Sequence, residues 1–239
     1  MNCLVFFAAI LLLGNVAAAA TGIVIVLKVE SAGQTGEITL LLDHGKARAD
    51  LSPNVSLIVD AESGEQISLM HQNRKFLRMT AAEGAKLSDA VKKDRARRNE
   101  AGAENRPRLN GTSRTVIVSG QKTEIYKFET GSLKATYWIA RDFPDATTIL
   151  NNLEIFQKST AFGVLKDRMP SPSEFPGMPL KTEIVIGDRK VTNTLISVIR
   201  RKIDPAVFEI PENYSSIYMG GRDTHEVNPG MKKPASQNP

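Results

Sequence analysis

Apolar and polar residues alternate with a period of two along most of this chain, the pattern of strands with one face buried. Runs at residues 21–30, 37–43, 47–51, 56–61, 66–71 and 75–79 are short and rich in Val, Ile and Leu. Polar or glycine-bearing breaks separate them, among them Asp43-His44-Gly45-Lys46 and Glu62-Ser63-Gly64-Glu65. Strands this short, joined by breaks this tight, predict an antiparallel meander. The rhythm resumes at 114–119, 123–129 and 133–140, and again at 180–186 and 191–200 around Gly187-Asp188-Arg189-Lys190.

One segment changes period. Ile149, Leu150, Leu153 and Phe156 form an i, i+1, i+4, i+7 stripe, so an amphipathic helix is expected there, starting at Asp142-Phe143-Pro144-Asp145. The sum is a mainly β (α+β) protein: a curved antiparallel sheet of about nine to eleven strands with one or two helices. A sheet of that size must curl. It either closes into a barrel or wraps a helix as a half-barrel, and the single strong amphipathic helix favours the half-barrel.

Three segments lie outside the strand pattern. Residues 1–27 carry no charged side chain, and their apolar run from Leu4 to Leu13 is too short to span a ~30 Å hydrocarbon core. With Ala18 and Ala20 in an A-x-A arrangement, residues 1–20 are read as a secretory signal peptide cleaved near Ala20, in preference to an uncleaved anchor. The remaining chain is then expected to be periplasmic or secreted. The sole cysteine, Cys3, would leave with the leader, which removes thiol chemistry from the exported form. Residues 219–239 are polar, with Gly and Pro, and read as a flexible tail. Between them, residues 21–218 form one β-rich domain carrying a helix and loop insert at 81–113.

Charge concentrates in that insert. The whole chain is +5, yet residues 81–114 hold nine basic groups against five acidic ones. Lys92, Lys93, Arg95, Arg97 and Arg98 are candidates for contact with an anionic membrane surface. The plain alternative is a solvated helix, because the apolar spacing of Leu87 and Val91 does not continue. Nucleic acid is not an expected partner: no aromatic residue lies between Phe76 and Tyr126 to stack on bases.

An ordered set of short motifs carries a family resemblance. Val118-Ser119-Gly120-Gln121-Lys122-Thr123 leads to Tyr126, then Tyr137-Trp138-Ile139-Ala140, Gly177-Met178-Pro179-Leu180 and Phe208-Glu209-Ile210-Pro211-Glu212-Asn213-Tyr214. The earlier stretches Ile58-Val59-Asp60, Met70-His71 and Lys75-Phe76 fit as well. Over roughly residues 22–218 the chain resembles an uncharacterised bacterial exported family grouped with the lipoprotein-carrier-like (LolA-like) half-barrels. That resemblance implies a concave sheet with helices at its mouth, a shape that shelters an acyl chain in the carriers. It supplies no catalytic motif.

The residues themselves point the same way. The three histidines, His44, His71 and His225, lack metal-pair spacing, and no metal is expected. No nucleophile elbow, P-loop or dinucleotide fingerprint occurs, so no cofactor and no catalytic residue is expected. Asp43 beside His44 reads as a turn, its side chains pointing apart. Tyr126, Phe128, Tyr137 and Trp138 cluster within a short stretch. Of these, Tyr126, Phe128 and Trp138, together with Leu150, Leu153 and Phe156 of the helix, are the candidate lining of an apolar ligand site. The competing reading makes them ordinary packed core. Two functions therefore stand: a non-enzymatic exported binder of a lipid acyl chain or other apolar small molecule, or a cell-envelope interaction module with a filled core that meets its partner through the basic insert.

Overall fold

A computed structural model of the chain describes residues 22–97, 108–157, 159 and 169–217. The expected leader, the tail and Arg98 lie outside the described residues. Six strands form the first meander: β1 (Gly22–Ser31), β2 (Gln34–Asp43), β3 (Lys46–Ser52), β4 (Val55–Asp60), β5 (Gln66–Met70) and β6 (Lys75–Met79). Helix α1 (Ala81–Arg97) follows, then β7 (Asn110–Val118), β8 (Gln121–Thr130) and β9 (Leu133–Ala140). Helix α2 (Ala146–Gln157), β10 (Met178–Ile186), β11 (Arg189–Arg201) and the two-residue β12 (Ser215–Ser216) come last among the described residues.

All twelve strands belong to one sheet in the order β12-β6-β5-β4-β3-β2-β1-β11-β10-β9-β8-β7. Two meanders are thus joined by the long antiparallel pair of β1 with β11. The sheet ends at β12 and β7 and does not close, so the expected curved half-barrel with helices is what forms. Twelve strands replace the expected nine to eleven. The extra one, β12, pairs parallel to β6 through Ser215 N–H to Arg74 O (3.0 Å) and Ile217 N–H to Phe76 O (2.8 Å).

The period of two assigns each strand an inner and an outer face. Ile23, Ile25, Leu42, Ala47, Ala49, Leu57 and Val59 point inward, where α2 covers them with Ile149, Leu150, Ile155 and Phe156. Alanines at 47 and 49 keep the sheet surface low, which lets the helix sit close. The helix begins at Ala146, later than expected, since Asp142–Asp145 forms the preceding turn with Asp145 at φ 57°. Ile155 is buried as well as Ile149, Leu150 and Phe156 of the stripe, while Leu153 is half-buried, because the sheet curls round the helix and contacts a broader arc.

On the outer face, Val24, Leu41, Ile58, Ile67 and Leu69 are covered by residues 202–217, chiefly Ile203 and Phe208. The first meander is therefore buried on both sides. Elsewhere β9 and residue 177 approach so closely that a Cβ on Gly177 would lie 2.4 Å from Ala140 O and 2.7 Å from Arg141 Cα. Both obstacles are backbone and have nowhere to rotate. Gly177→Ala is expected to destabilise the fold by about 1–3 kcal/mol, as overpacking does, read as a lowered urea midpoint at unchanged slope.

Helix α1 is capped by Thr80 and Glu83, each accepting from the other's backbone N–H (3.3 and 2.8 Å). That bond to the Thr80 backbone holds the Glu83 carboxyl below its usual pKa. On the helix Gly84 is buried, but Leu87 is 42% exposed.

Candidate ligand-binding face

Strand registers place the aromatic cluster. Val29 pairs with Asn193, Asn193 with Thr182, Thr182 with Tyr137, and Tyr137 with Tyr126. This row crosses β1, β11, β10, β9 and β8. Since Val29 shares parity with Ile23 and Ile25, the whole row belongs to the inner face. Phe128, Leu133, Ala135 and Ile139 join Tyr126 and Tyr137 there in one buried cluster, edged by Leu109, Met169, Phe175 and Ile184. Phe175 also packs against the α2 core, so the two inner-face clusters are contiguous.

The two phenols of this cluster differ. The Tyr126 hydroxyl donates to Glu124 Oε2 (2.9 Å) and accepts from Arg141 Nη2 (2.5 Å), while Arg141 Nε donates to the same carboxylate (2.9 Å). These bonds, from Arg141 first and then Tyr126, lower the Glu124 pKa, and burial chiefly raises that of Tyr126. Tyr137 is only 2% exposed, with its ring 4.8 Å from that of Phe175. Its hydroxyl is buried and has no hydrogen-bond partner among the described residues. Leaving a buried hydroxyl unpaired costs about 1–3 kcal/mol, a cost that an acceptor brought to this apolar face would relieve.

The other candidate residues fall in several places. Leu150 and Phe156 are buried under α2 and Leu153 packs partly against the same core. Trp138 stands on the outer face, opposite Tyr137, with Lys181 Nζ 4.8 Å above its ring. Of the basic residues proposed for an anionic surface, Lys93 and Arg97 are exposed on α1. The side chains of Lys92 and Arg95 lie outside the described residues.

Sequence reasoning passed over Tyr137 and Phe175 as site residues. Parity along β9 narrows the aromatic choice to Tyr137 or Trp138; only the pairing with β8 and β10 decides it.

A second polar cluster lies on the outer face under residues 202–217. Arg48 Nε donates to Asp50 Oδ1 (2.7 Å), its Nη1 to Val207 O (2.8 Å) and its Nη2 to Ser56 Oγ (3.2 Å). Ser56 Oγ also meets Asp50 Oδ1 (2.5 Å) and His71 Nε2 (2.7 Å), and His71 Nδ1 meets the Tyr214 hydroxyl (2.7 Å). Serine, histidine and aspartate in mutual contact are the residue types of an acyl-transfer site, but the protons run the other way. Ser56 has one proton, and the carboxylate claims it. His71 Nε2–H must then donate to Ser56, leaving Nδ1 to accept from Tyr214. A histidine donating to the serine does not activate it, and Ser56 is 1% exposed. The cluster is a clasp that ties the C-terminal segment to the sheet.

The expected turn at Asp43-His44-Gly45-Lys46 forms between β2 and β3, but the side chains of Asp43 and His44 do not point apart as expected. Their side chains meet, with Nδ1 2.8 Å from Oδ1, because His44 sits at φ 44° and swings back over its neighbour. The histidine is 75% exposed at its side chain, at the tip of the β2–β3 hairpin. A hollow of about 310 Å³ at the β7 bulge is lined by Asn110, Gly111, Thr112, Lys127 and Glu129, beside the end of the aromatic row, where Gly111 pairs with Tyr126. Among the described residues, no group of His, Cys, Asp and Glu is arranged to hold a metal ion, and no helix is long and apolar enough to cross a membrane.

No family model matches the chain, and no curated protein matches it. Among solved structures it is similar to PNGF-II, at 13% identity and TM-score 0.40, over 84% of this chain and 31% of that one. The chain thus spans about a third of PNGF-II. It is also similar to the Mycobacterium tuberculosis lipoprotein LppX, at 10% identity and TM-score 0.39, over 78% of this chain and 90% of LppX. A DUF1329 family protein from Desulfovibrio piger matches at 8% identity and TM-score 0.25, over 81% and 91% of the two chains.

Proposed function

We propose that this chain is an exported, non-enzymatic protein that holds an acyl chain or similar apolar ligand on the inner face of its half-barrel. The observation that carries the reading is the row through Tyr137: an aromatic patch continuous with the α2 core, interrupted by a buried hydroxyl without a partner among the described residues. A packed core selected only for stability gains from phenylalanine at that position, since removing an unpaired polar group relieves its desolvation. A ligand site needs such a group to orient what it binds. Binding would draw on burial of alkyl surface, at about 0.8 kcal/mol per methylene, with no bond made or broken.

The test is native mass spectrometry on the full chain, expressed with its own leader through an export route, followed by extraction of whatever is bound. A discrete adduct of lipid mass supports the proposal. A clean protein mass together with no uptake of offered acyl compounds overturns it. That second outcome leaves the interaction-module reading, which the exposure of Lys93 and Arg97 on the thinly anchored α1 favours.

A further inference from the structure

At its centre the row on the inner face is polar and uncharged; at its β8 end the mutually paired Arg141 and Glu124 meet the Tyr126 hydroxyl. Tyr137, Thr182 and Asn193 are successive neighbours across β9, β10 and β11. Of these, Thr182 and Asn193 are half-buried and Tyr137 is buried. Burial alone pushes the Tyr137 pKa upward, with no charged side chain contributing, so the phenol stays a neutral donor throughout the physiological range. Two cations close to the row, among the described residues, are already engaged. Arg141 is bonded to Glu124 and the Tyr126 hydroxyl, and Lys181 lies over Trp138 on the outer face.

Resting on the proposed function, we infer that the ligand presents an uncharged hydrogen-bond acceptor, an ester or amide carbonyl, to the Tyr137 hydroxyl, and that the site selects acyl esters over free fatty acids. An ionised carboxylate brought to this position would lose its hydration and gain one neutral donor, and among the described residues it would meet no unpaired countercharge, Arg141 being held by Glu124. Buried charges without a partner are strongly unfavourable. A carbonyl loses far less hydration and satisfies the one orphaned donor, so the same hydroxyl that penalises the ligand-free protein contributes to binding. A ligand of pure hydrocarbon would leave the donor unpaired. The chemistry of the row thus separates three ligand types that alkyl burial alone would treat alike.

The probes are cis-parinaric acid and its methyl ester, which share one fluorescent polyene chain and differ only at the carboxyl group. Titrated into the full-length protein at pH 8, the ester is expected to bind at least about tenfold more tightly than the ionised acid, about the worth of one good hydrogen bond. Tyr137→Phe removes one oxygen and keeps the ring packing. It should weaken the ester about tenfold, leave the acid nearly unchanged, and raise the melting temperature of the ligand-free protein. Equal affinity for ester and acid in the unaltered protein overturns the inference while leaving the acyl-binding reading in place. An unchanged ester affinity in Tyr137→Phe does the same. Uptake of neither probe overturns both together.

Discussion

Phe128→Ala should lower the unfolding free energy by about 3–5 kcal/mol, the usual cost of emptying a buried phenylalanine site. Phe128 is 1% exposed and lies at the centre of the second inner-face cluster, opposite Ala135 on β9. An alanine already faces it, so its nearest cross-strand neighbour has no side chain with which to refill the space. Urea unfolding checks the size of the loss. If the inner face binds an acyl chain, saturating ligand should restore part of it, because an apolar tail occupies volume that costs about 24 cal/mol per Å³ when empty. A loss below about 1 kcal/mol would mean that the cluster collapses readily, unlike most sites of this kind.

The second large effect is expected on the opposite face. Arg48→Ala withdraws the donors that join Asp50, Ser56 and Val207 O, and leaves a carboxylate facing a buried hydroxyl. Breaking one side of a fully buried pair costs 3–5 kcal/mol, but the Asp50 side chain is 36% exposed and water relieves part of that. About 2–3 kcal/mol is expected here. The distinguishing readout is local. Because Arg48 grips the C-terminal segment at Val207, the amides of Ser215 and Ile217 should exchange with solvent far faster than those of β1 and β2. If instead the Ser215 and Ile217 amides in the variant exchange only through global unfolding, the clasp does not hold that segment.

Much of the architecture was legible because it is local. The run Val55–Asp60 alternates against neighbours only a turn away, and its pairing with β3 and β5 follows from short connections. The stripe on α2 likewise announced a buried helix. Residues 110–113, taken as insert, are instead the start of β7. Their composition (Asn, Gly, Thr, Ser) is that of a loop, yet pairing with β8 and the bond from Thr112 Oγ1 to Ile125 O (2.9 Å) hold them in an edge strand. Propensity gives way there to a partner strand.

The candidate site was half legible. Tyr126 and Phe128 sharing a face follows from parity alone. Whether Tyr137 or Trp138 joins them depends on the register of β9 against β8, which no local pattern specifies. The clasp was invisible for a related reason. Arg48 and Val207 stand 159 residues apart, and His71 and Tyr214 stand 143 apart, so nothing near either partner signals the other.

By itself the sequence determined the strand-rich class, the amphipathic helix, the concentration of positive charge in one insert and the absence of recognisable catalytic spacing. Each of these is written in side chains close together along the chain, where periodicity and composition act directly. The tertiary structure decided which face each aromatic residue occupies, that one phenol is buried unpaired while its neighbour is satisfied, and that a serine, a histidine and an aspartate meet as a clasp. Those outcomes depend on which strands pair and on what covers each face. Long-range pairing brings distant groups within hydrogen-bond reach, and only then do burial and proton direction acquire chemical meaning.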